Sequence, residues 1–445
     1  MEKLSIKEKI GYGLGDTATN LTFRTITVFL TFFYTDVFGI SAATIATLFF
    51  VVRLWDACND LIMGIIADRT NTRWGKFRPW ILWMALPFGI LTLLTFITPD
   101  FSYVGKVIYA YVTYMLLMMV FTASNIPYSA LSGVMTSDPI ERTSLSSYRF
   151  VGAFVGALVA QGLNIPLTEF FGKGDQVKGY QWTIGVFAFI SVILFVITFL
   201  TTKERVNPPK EQKNSLINDL KELMKNKPWV IIFFVGVLFV SFSSLMQGVT
   251  LYYFKYYLNN TNLATGFMVA GLVAAMIGAG ITNVFAKKTG KQNLFIFTML
   301  VAGVGAFVLY FVKPDQLPII YALNIIIEFV GGVMPVLFFA MLADSADYSE
   351  WKFRRRSTGI IFSAGTFAMK TGMMVAGAGT GWLLSYFGYV ANVEQSADTM
   401  IGIRLIFSII PAVLLFIAMG IIWFYPINEL KLTEIQLELN KRRKL

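Results

Sequence analysis

Residues 53–60 read RLWDACND, inside the longer run TIATLFFVVRLWDACNDLIMGIIADR (44–69). The run is long and apolar enough to cross a membrane, which takes about 20 residues. Yet within eight positions it carries Arg53, Asp56 and Asp60. A carboxylate at the bilayer centre costs about 2.5–3.5 kcal/mol on insertion scales, so a partner, an ion or a proton has to offset it. Asp56, Asn59 and Asp60 fall at i, i+3 and i+4 and share one helix face, with Arg53 at its edge. Two carboxylates, a carboxamide and a hydroxyl such as that of Thr122 make an oxygen set suited to a hard cation such as Na⁺. The same two acids can instead share a proton, because close carboxylates push one pKa up. A salt bridge from Arg53 would account for one acid and leave the other, which favours the cation site.

The rest of the composition agrees with a membrane setting. The chain has 445 residues, 56% hydrophobic and only 14% charged, with mean hydropathy +0.64. Soluble domains carry about 25% charged residues. The net charge of +11 sits in short loops between apolar runs, where it reads as a topology signal and not as a nucleic-acid surface. A single cysteine, Cys58, permits no intramolecular disulfide. The absence of histidine excludes His-based zinc sites, Ser-His-Asp triads and histidine proton relays. The start, MEKLSIKEKI, is charged, so the first apolar run reads as a full span and not as a cleavable signal.

Twelve spans are predicted, at roughly 11–38, 41–68, 80–98, 105–132, 146–170, 181–201, 229–257, 262–287, 293–312, 317–343, 358–388 and 400–425. Lysine and arginine collect in alternate loops: RTNTRWGKFR (69–78), SDPIERTSLSSYR (137–149), 203–227, AKKTGKQ (286–292) and WKFRRR (351–356). The opposite loops FGIS, NNTN and YVANVEQSAD hold neither. The positive-inside rule then places both termini and the central loop in the cytoplasm. The expected organisation is an N-terminal six-helix bundle (1–202), a cytoplasmic central loop (203–228), a C-terminal six-helix bundle (229–425) and a cytoplasmic tail (426–445). Weak similarity between the halves is the pattern of a transporter built from parallel repeats.

Arg24, Asp56, Glu328 and Lys370 all lie within about three residues of their span midpoints, roughly 4–5 Å in depth at 1.5 Å per residue. Charges at one depth in four separate spans mark the level where secondary transporters bind substrate and ion. Asn20, Arg24 and Thr27 form a second polar stripe on the first span. Asn125 and Arg149 face the cytoplasmic half of the fourth and fifth. Such groups suit sugar hydroxyls. Arg24 either pairs with Glu328 as a gate or receives an anionic substrate. Lys370 is read as neutralising Asp56 or Asp60 when the cation is absent.

Together these residues resemble the glycoside–pentoside–hexuronide:cation symporter family of the major facilitator superfamily. The likeness spans nearly the whole chain and is carried by FYTDVFGIS (33–41), RLWDACND…RWGKFRPW (53–80), NIPYSAL (125–131) and ADSADYSEWKFRRRSTGI (343–360), followed by Lys370. It implies an all-α major facilitator fold of twelve transmembrane helices in two bundles. By matched position it implies Asp56, Asn59, Asp60 and Thr122 as cation ligands. The substrate set it implies is Asn20, Arg24, Asn125, Ser129, Arg149, Thr366 and Lys370. The loop Gly64…Asp68-Arg69…Arg73 is similar to the Gly–Asp–Arg loop of major facilitator proteins. Arg53, Asp68, Arg69, Glu328 and Asp344 are accordingly assigned to gating or charge pairing. Two sugar-binding aspartates of the family's reference member fall here on Asn20 and Asn125, and a stacking tryptophan on Ser129. These departures point away from α-galactosides and leave xylosides, glucosides and uronides open.

The expected function is cation-coupled symport of a sugar or glycoside by alternating access, with Na⁺, H⁺ or Li⁺ as coupling ion and no other cofactor. The expected setting is the inner (plasma) membrane, the lipid bilayer being its other partner, with a functional monomer and no nucleic acid. A carrier of amphiphiles such as lysolipids is the alternative, since distant relatives move them. A membrane-embedded transferase fits least, because the longest loop has 25 residues and the acids lie mid-span.

Overall fold

The computed structural model describes residues 4–136, 138–205, 223–353 and 358–443. Expectations for the bulk of the central loop (206–222) and for Arg354, Arg355 and Arg356 lie outside the described residues, as do those for the Asp68 and Cys58 side chains. Among the described residues the regular elements are all helices, and the one β-bridge joins Thr72 and Gly75. Among the described residues, ten helices are long and apolar enough to cross a membrane. The helices over the first two expected spans are not among the ten. These are α1 (Ile6–Thr25, prolonged by π turns at Ile26–Leu30 and Phe33–Val37) and α2 (Ala42–Arg69). α1 is less apolar because it carries Asp16, Arg24 and Asp36 among several threonines, while α2 includes positions, Cys58 and Asp68 among them, that lie outside the described side chains.

The chain forms two compact units. The first comprises Met1–Glu211 with the short segments Thr261–Gly266 and Tyr389–Glu394. Besides α1 and α2 it holds α3 (Arg78–Thr95), α4 (Tyr103–Met135), α5 (Pro139–Gly172) and α6 (Gln176–Thr201). Glycines let α1 and α5 touch backbone to backbone. A Cβ at Gly152 would stand 2.1 Å from the Gly13 carbonyl oxygen, and one at Gly156 2.5 Å from that of Thr17. The Thr17 hydroxyl donates across this seam to the Gly152 carbonyl at 3.0 Å. The loop RWGKFRPW folds onto the end of α6: the Glu204 carboxylate accepts the backbone N–H groups of Lys76, Phe77 and Arg78 at 2.8–2.9 Å. That puts a negative charge on the positive end of α3. At Gly75, φ is +111° and a Cβ would strike this carboxylate at 2.4 Å, so glycine is needed there. At the far end of α1, buried Asp36 accepts from Tyr389 Oη at 2.5 Å, and its carbonyl accepts from Asn392 Nδ2 at 2.6 Å.

The second unit comprises Gln212–Asn260, Phe267–Gly388 and Gln395–Leu445. It contains α7 (Lys227–Tyr252, prolonged by a π turn at Tyr253–Tyr257), α8 (Leu263–Thr289), α9 (Lys291–Leu309), α10 (Leu317–Phe353) and α11 (Thr358–Tyr386). The last span is broken at Ser408 (φ −131°, ψ −75°) into α12 (Ala397–Phe407) and α13 (Ile409–Trp423). The expected tail is a helix, α14 (Glu429–Arg443), docked on α10. Ile435 and Leu439 of α14 are buried, and Trp351 Nε1 donates to Glu438 Oε2 at 2.5 Å.

Candidate functional site

Asp56 and Asp60 lie on the face of α2 that packs against α4. Asp56 is 1% exposed and Asp60 is half-buried. The Thr122 hydroxyl stands between them, 2.8 Å from Asp56 Oδ1 and 3.2 Å from Asp60 Oδ1. One hydroxyl hydrogen cannot fully satisfy two carboxylates, so the Thr122 oxygen bridges two anionic groups that it only partly compensates. Asn59 is half-buried on the same helix. The local result is a convergent set of hard oxygen donors in a water-poor setting, the chemistry of an alkali-cation or shared-proton site. Arg53 is placed to the side: its guanidinium lies 5.6 Å from the Phe23 ring centroid and beside Tyr114.

A second cluster forms where α1 meets α5. Arg149 Nε donates to Asp16 Oδ2 at 2.8 Å, with Asp16 6% exposed. The guanidinium lies 5.3 Å from the Tyr128 ring centroid. That ring stacks on Tyr12 at 4.7 Å, and each tyrosine hydroxyl donates to the other's carbonyl, at 2.6 Å from Tyr128 and 3.3 Å from Tyr12. Asn20 is half-buried and turns its amide onto the Asp16 carbonyl at 3.0 Å. On α4, Asn125 Oδ1 accepts from Ser129 Oγ at 3.4 Å. Arg24 is half-buried one turn beyond Asn20.

In the second unit, Lys370 and Glu328 are half-buried, and Thr366 is exposed with its hydroxyl on the Phe362 carbonyl at 3.1 Å. Asp344 is 7% exposed and gripped by Lys291 Nζ at 2.6 and 2.7 Å, at the start of α9. Arg69 is exposed.

Asp16, Lys291, Glu204 and Asp36 were missed by the sequence reading. A signal for Asp16 was present, since it stands four residues before Asn20 and eight before Arg24 on one stripe. The signals for Lys291 and Glu204 were not: their partners are 53 and 126–128 residues away.

The family model described as MFS/sugar transport protein matches residues 11–429. The chain belongs to this family. Its relatives match over nearly their whole length, as three of them illustrate. An isoprimeverose transporter of Lactiplantibacillus pentosus is 38% identical over 95% of this chain and 89% of that protein. The inner membrane symporter YicJ of Escherichia coli is 36% identical over 99% and 97%. A glucuronide carrier protein homolog of the same organism is 33% identical over 100% and 97%. Among solved structures, an inward-facing bacterial homolog of the human lysosomal transporter Spinster superposes with TM-score 0.69 at 16% identity, covering 95% of this chain and 97% of that one. That likeness is one of fold. The protein is thus a multi-pass major facilitator transporter and not an enzyme.

Proposed function

We propose that this protein is a secondary active transporter coupling the movement of a cation to symport of a sugar or glycoside by alternating access. The observation that carries the reading is the Thr122 hydroxyl shared between Asp56 and Asp60. A cation bound by Asp56, Asp60, Thr122 and Asn59 would be matched by two carboxylates converging on one hydroxyl. Binding of cation and sugar is reciprocal: each tightens the other by the same factor. The symporter name of YicJ and the sugar named in the isoprimeverose transporter support this assignment.

In this reading Asn20, Arg24, Asn125, Ser129, Arg149, Thr366 and Lys370 are the substrate-binding residues. Arg53, Asp68, Arg69, Glu328 and Asp344 take part in charge pairing or gating. The protein works as a monomer in the inner membrane with both termini cytoplasmic, as two six-helix bundles (1–202 and 229–425) with a tail from 426.

The test is uptake into proteoliposomes of a glycoside panel, with and without Na⁺ and at two pH values. Accumulation of a sugar driven by a Na⁺ or proton gradient is the expected result. Sugar-independent transport of lysolipids, with no glycoside protecting the protein in a thermal-shift assay, would replace the reading with an amphiphile carrier.

A further inference from the structure

Resting on the sugar-symport reading, the Asp16–Arg149 pair says which charge class of glycoside the carrier accepts. We infer that Asp16 makes the sugar subsite selective for uncharged glycosides by cancelling the charge of Arg149. Three observations lead there.

The pair is asymmetric in its exposure. The Asp16 side chain is 8% exposed and the Arg149 side chain 31%, so the carboxylate is enclosed while part of the guanidinium stays reachable. Arg149 spends Nε on Asp16. A guanidinium has five N–H donors in a rigid fork, so the remaining ones can still serve acceptor oxygens. A sugar hydroxyl can accept such a bond without disturbing the pair.

A carboxylate substrate meets a different balance. Arg149 and Asp16 together carry no net charge, so a uronate approaching the guanidinium gains from the arginine and loses to the aspartate beside it. The polar neighbours add no compensating positive charge at this point: Asn20 has its amide on the Asp16 carbonyl, and Tyr12 and Tyr128 are neutral phenols bonded to each other's backbone. Counting Asn20, Asn125 and Arg24 alone suggests a subsite that welcomes anions. Asp16 reverses that tally for Arg149.

Helix packing does not require the pair. The second unit brings α7 and α11 into the same kind of contact: a Cβ at Gly372 would stand 2.6 Å from the Val237 carbonyl oxygen, and Ser241 Oγ donates to the Gly372 carbonyl at 3.1 Å. Counting back from the matched π turns and the matched glycines, the places of Asp16 and Arg149 fall there on Gly236 and Gly365. Gly236 packs against the Phe338 ring and Gly365 against Leu342. An ion pair at this point is therefore an addition to the seam and not its glue.

The test uses matched pairs that differ only at C6: 4-nitrophenyl α- and β-glucosides against the corresponding glucuronides. Each pair competes on the same purified, reconstituted protein, so that expression cancels from the ratio of apparent affinities. Wild type should prefer the glucoside by about tenfold or more, the scale of a like-charge penalty at close range. Asp16→Asn should shift the ratio toward the glucuronide by at least about tenfold. Asp16→Glu should retain the wild-type order, and the double variant D16N/R149Q should lose the gain made by D16N. A wild-type preference for glucuronides overturns the inference without any variant, which covers the case that D16N does not fold. An unchanged ratio in a folded D16N also overturns it, leaving the pair a structural one. Failure of wild type to bind any glycoside of either charge overturns the symport reading itself.

Discussion

At the end of α1 the Phe38 N–H bonds the Phe33 carbonyl and the Ile40 N–H bonds that of Tyr34. At the end of α7 the Leu258 N–H bonds the Tyr253 carbonyl and the Asn260 N–H that of Phe254. Each exit then passes through a left-handed residue, Gly39 at φ +81° and Asn259 at φ +50°. The two units thus repeat one aromatic, π-helical helix end, and each repeats a glycine seam between its first and fifth helices. They differ in what lies along those helices. The first unit carries Asp16–Arg149 and the Asp56–Thr122–Asp60 cluster; the second fills the place of the ion pair with Gly236 against Phe338 and Gly365 against Leu342. A common scaffold thus carries the ion pair and the two-acid cluster on one copy only.

The shared scaffold is the part to break first. Gly152→Ala forces a methyl to within 2.1 Å of the Gly13 carbonyl, and Gly372→Ala to within 2.6 Å of that of Val237. Both should cost more than about 3 kcal/mol, because backbone cannot yield as a side chain can. Neither variant should survive as a monodisperse peak on fluorescence-detected size exclusion. Gly280→Ala, with nothing within 4 Å of its Cβ, should behave as wild type.

Next come the places where the units differ. Thr122→Val keeps both acids of the first unit but removes the oxygen between them, and should weaken cation activation by about tenfold, the worth of one hydrogen bond to a charged group. Cation titration of sugar uptake measures this. In the second unit, Lys291→Ala removes the ammonium that bonds both oxygens of buried Asp344. Stability should fall by about 1.5–3 kcal/mol, the scale of a lost hydrogen bond to a charged group, with the cation dependence of uptake unchanged. Differential scanning fluorimetry in detergent separates the two readouts.

The smallest effect concerns Glu8 at the start of α1. Burial alone would raise its carboxyl, but hydrogen bonds from Arg205 (2.6 Å) and the Ser5 cap, with the Arg205 charge, hold it below its ordinary value of 4.5. A group whose folded pKa is depressed contributes stability above its unfolded value and loses it as pH falls through the folded one. Wild type should therefore exceed Glu8→Gln in thermal stability at pH 7, and the gap should close below about pH 4.5. A gap that widens on acidification would reverse the sign of the argument.

The helical fold was legible because apolar runs and charged loops are local signals. The cation cluster was legible for a related reason: Asp56, Asn59 and Asp60 lie on one turn of one helix. Thr122 was readable as a hydroxyl contributor from the fourth span, and family resemblance matched it by position. Asp16 was overlooked because its meaning depends on Arg149, which only the close approach of α1 and α5 at Gly152 reveals. Glu204 and Lys291 were hidden the same way, as ordinary loop charges until tertiary folding sets them against the α3 N-terminus and Asp344. The docked tail helix was invisible because its apolar positions, Leu432, Ile435 and Leu439, read as sparse in a charged segment.

The central claim is that Asp56 and Asp60 hold the driving cation, and gradient-driven uptake tests it most directly. Wild type in proteoliposomes should accumulate a transported glycoside above its external concentration under an imposed Na⁺ or proton gradient. Asp56→Asn and Asp60→Asn should each bring the sugar only to equilibrium. Uphill accumulation that survives in both variants would contradict the account.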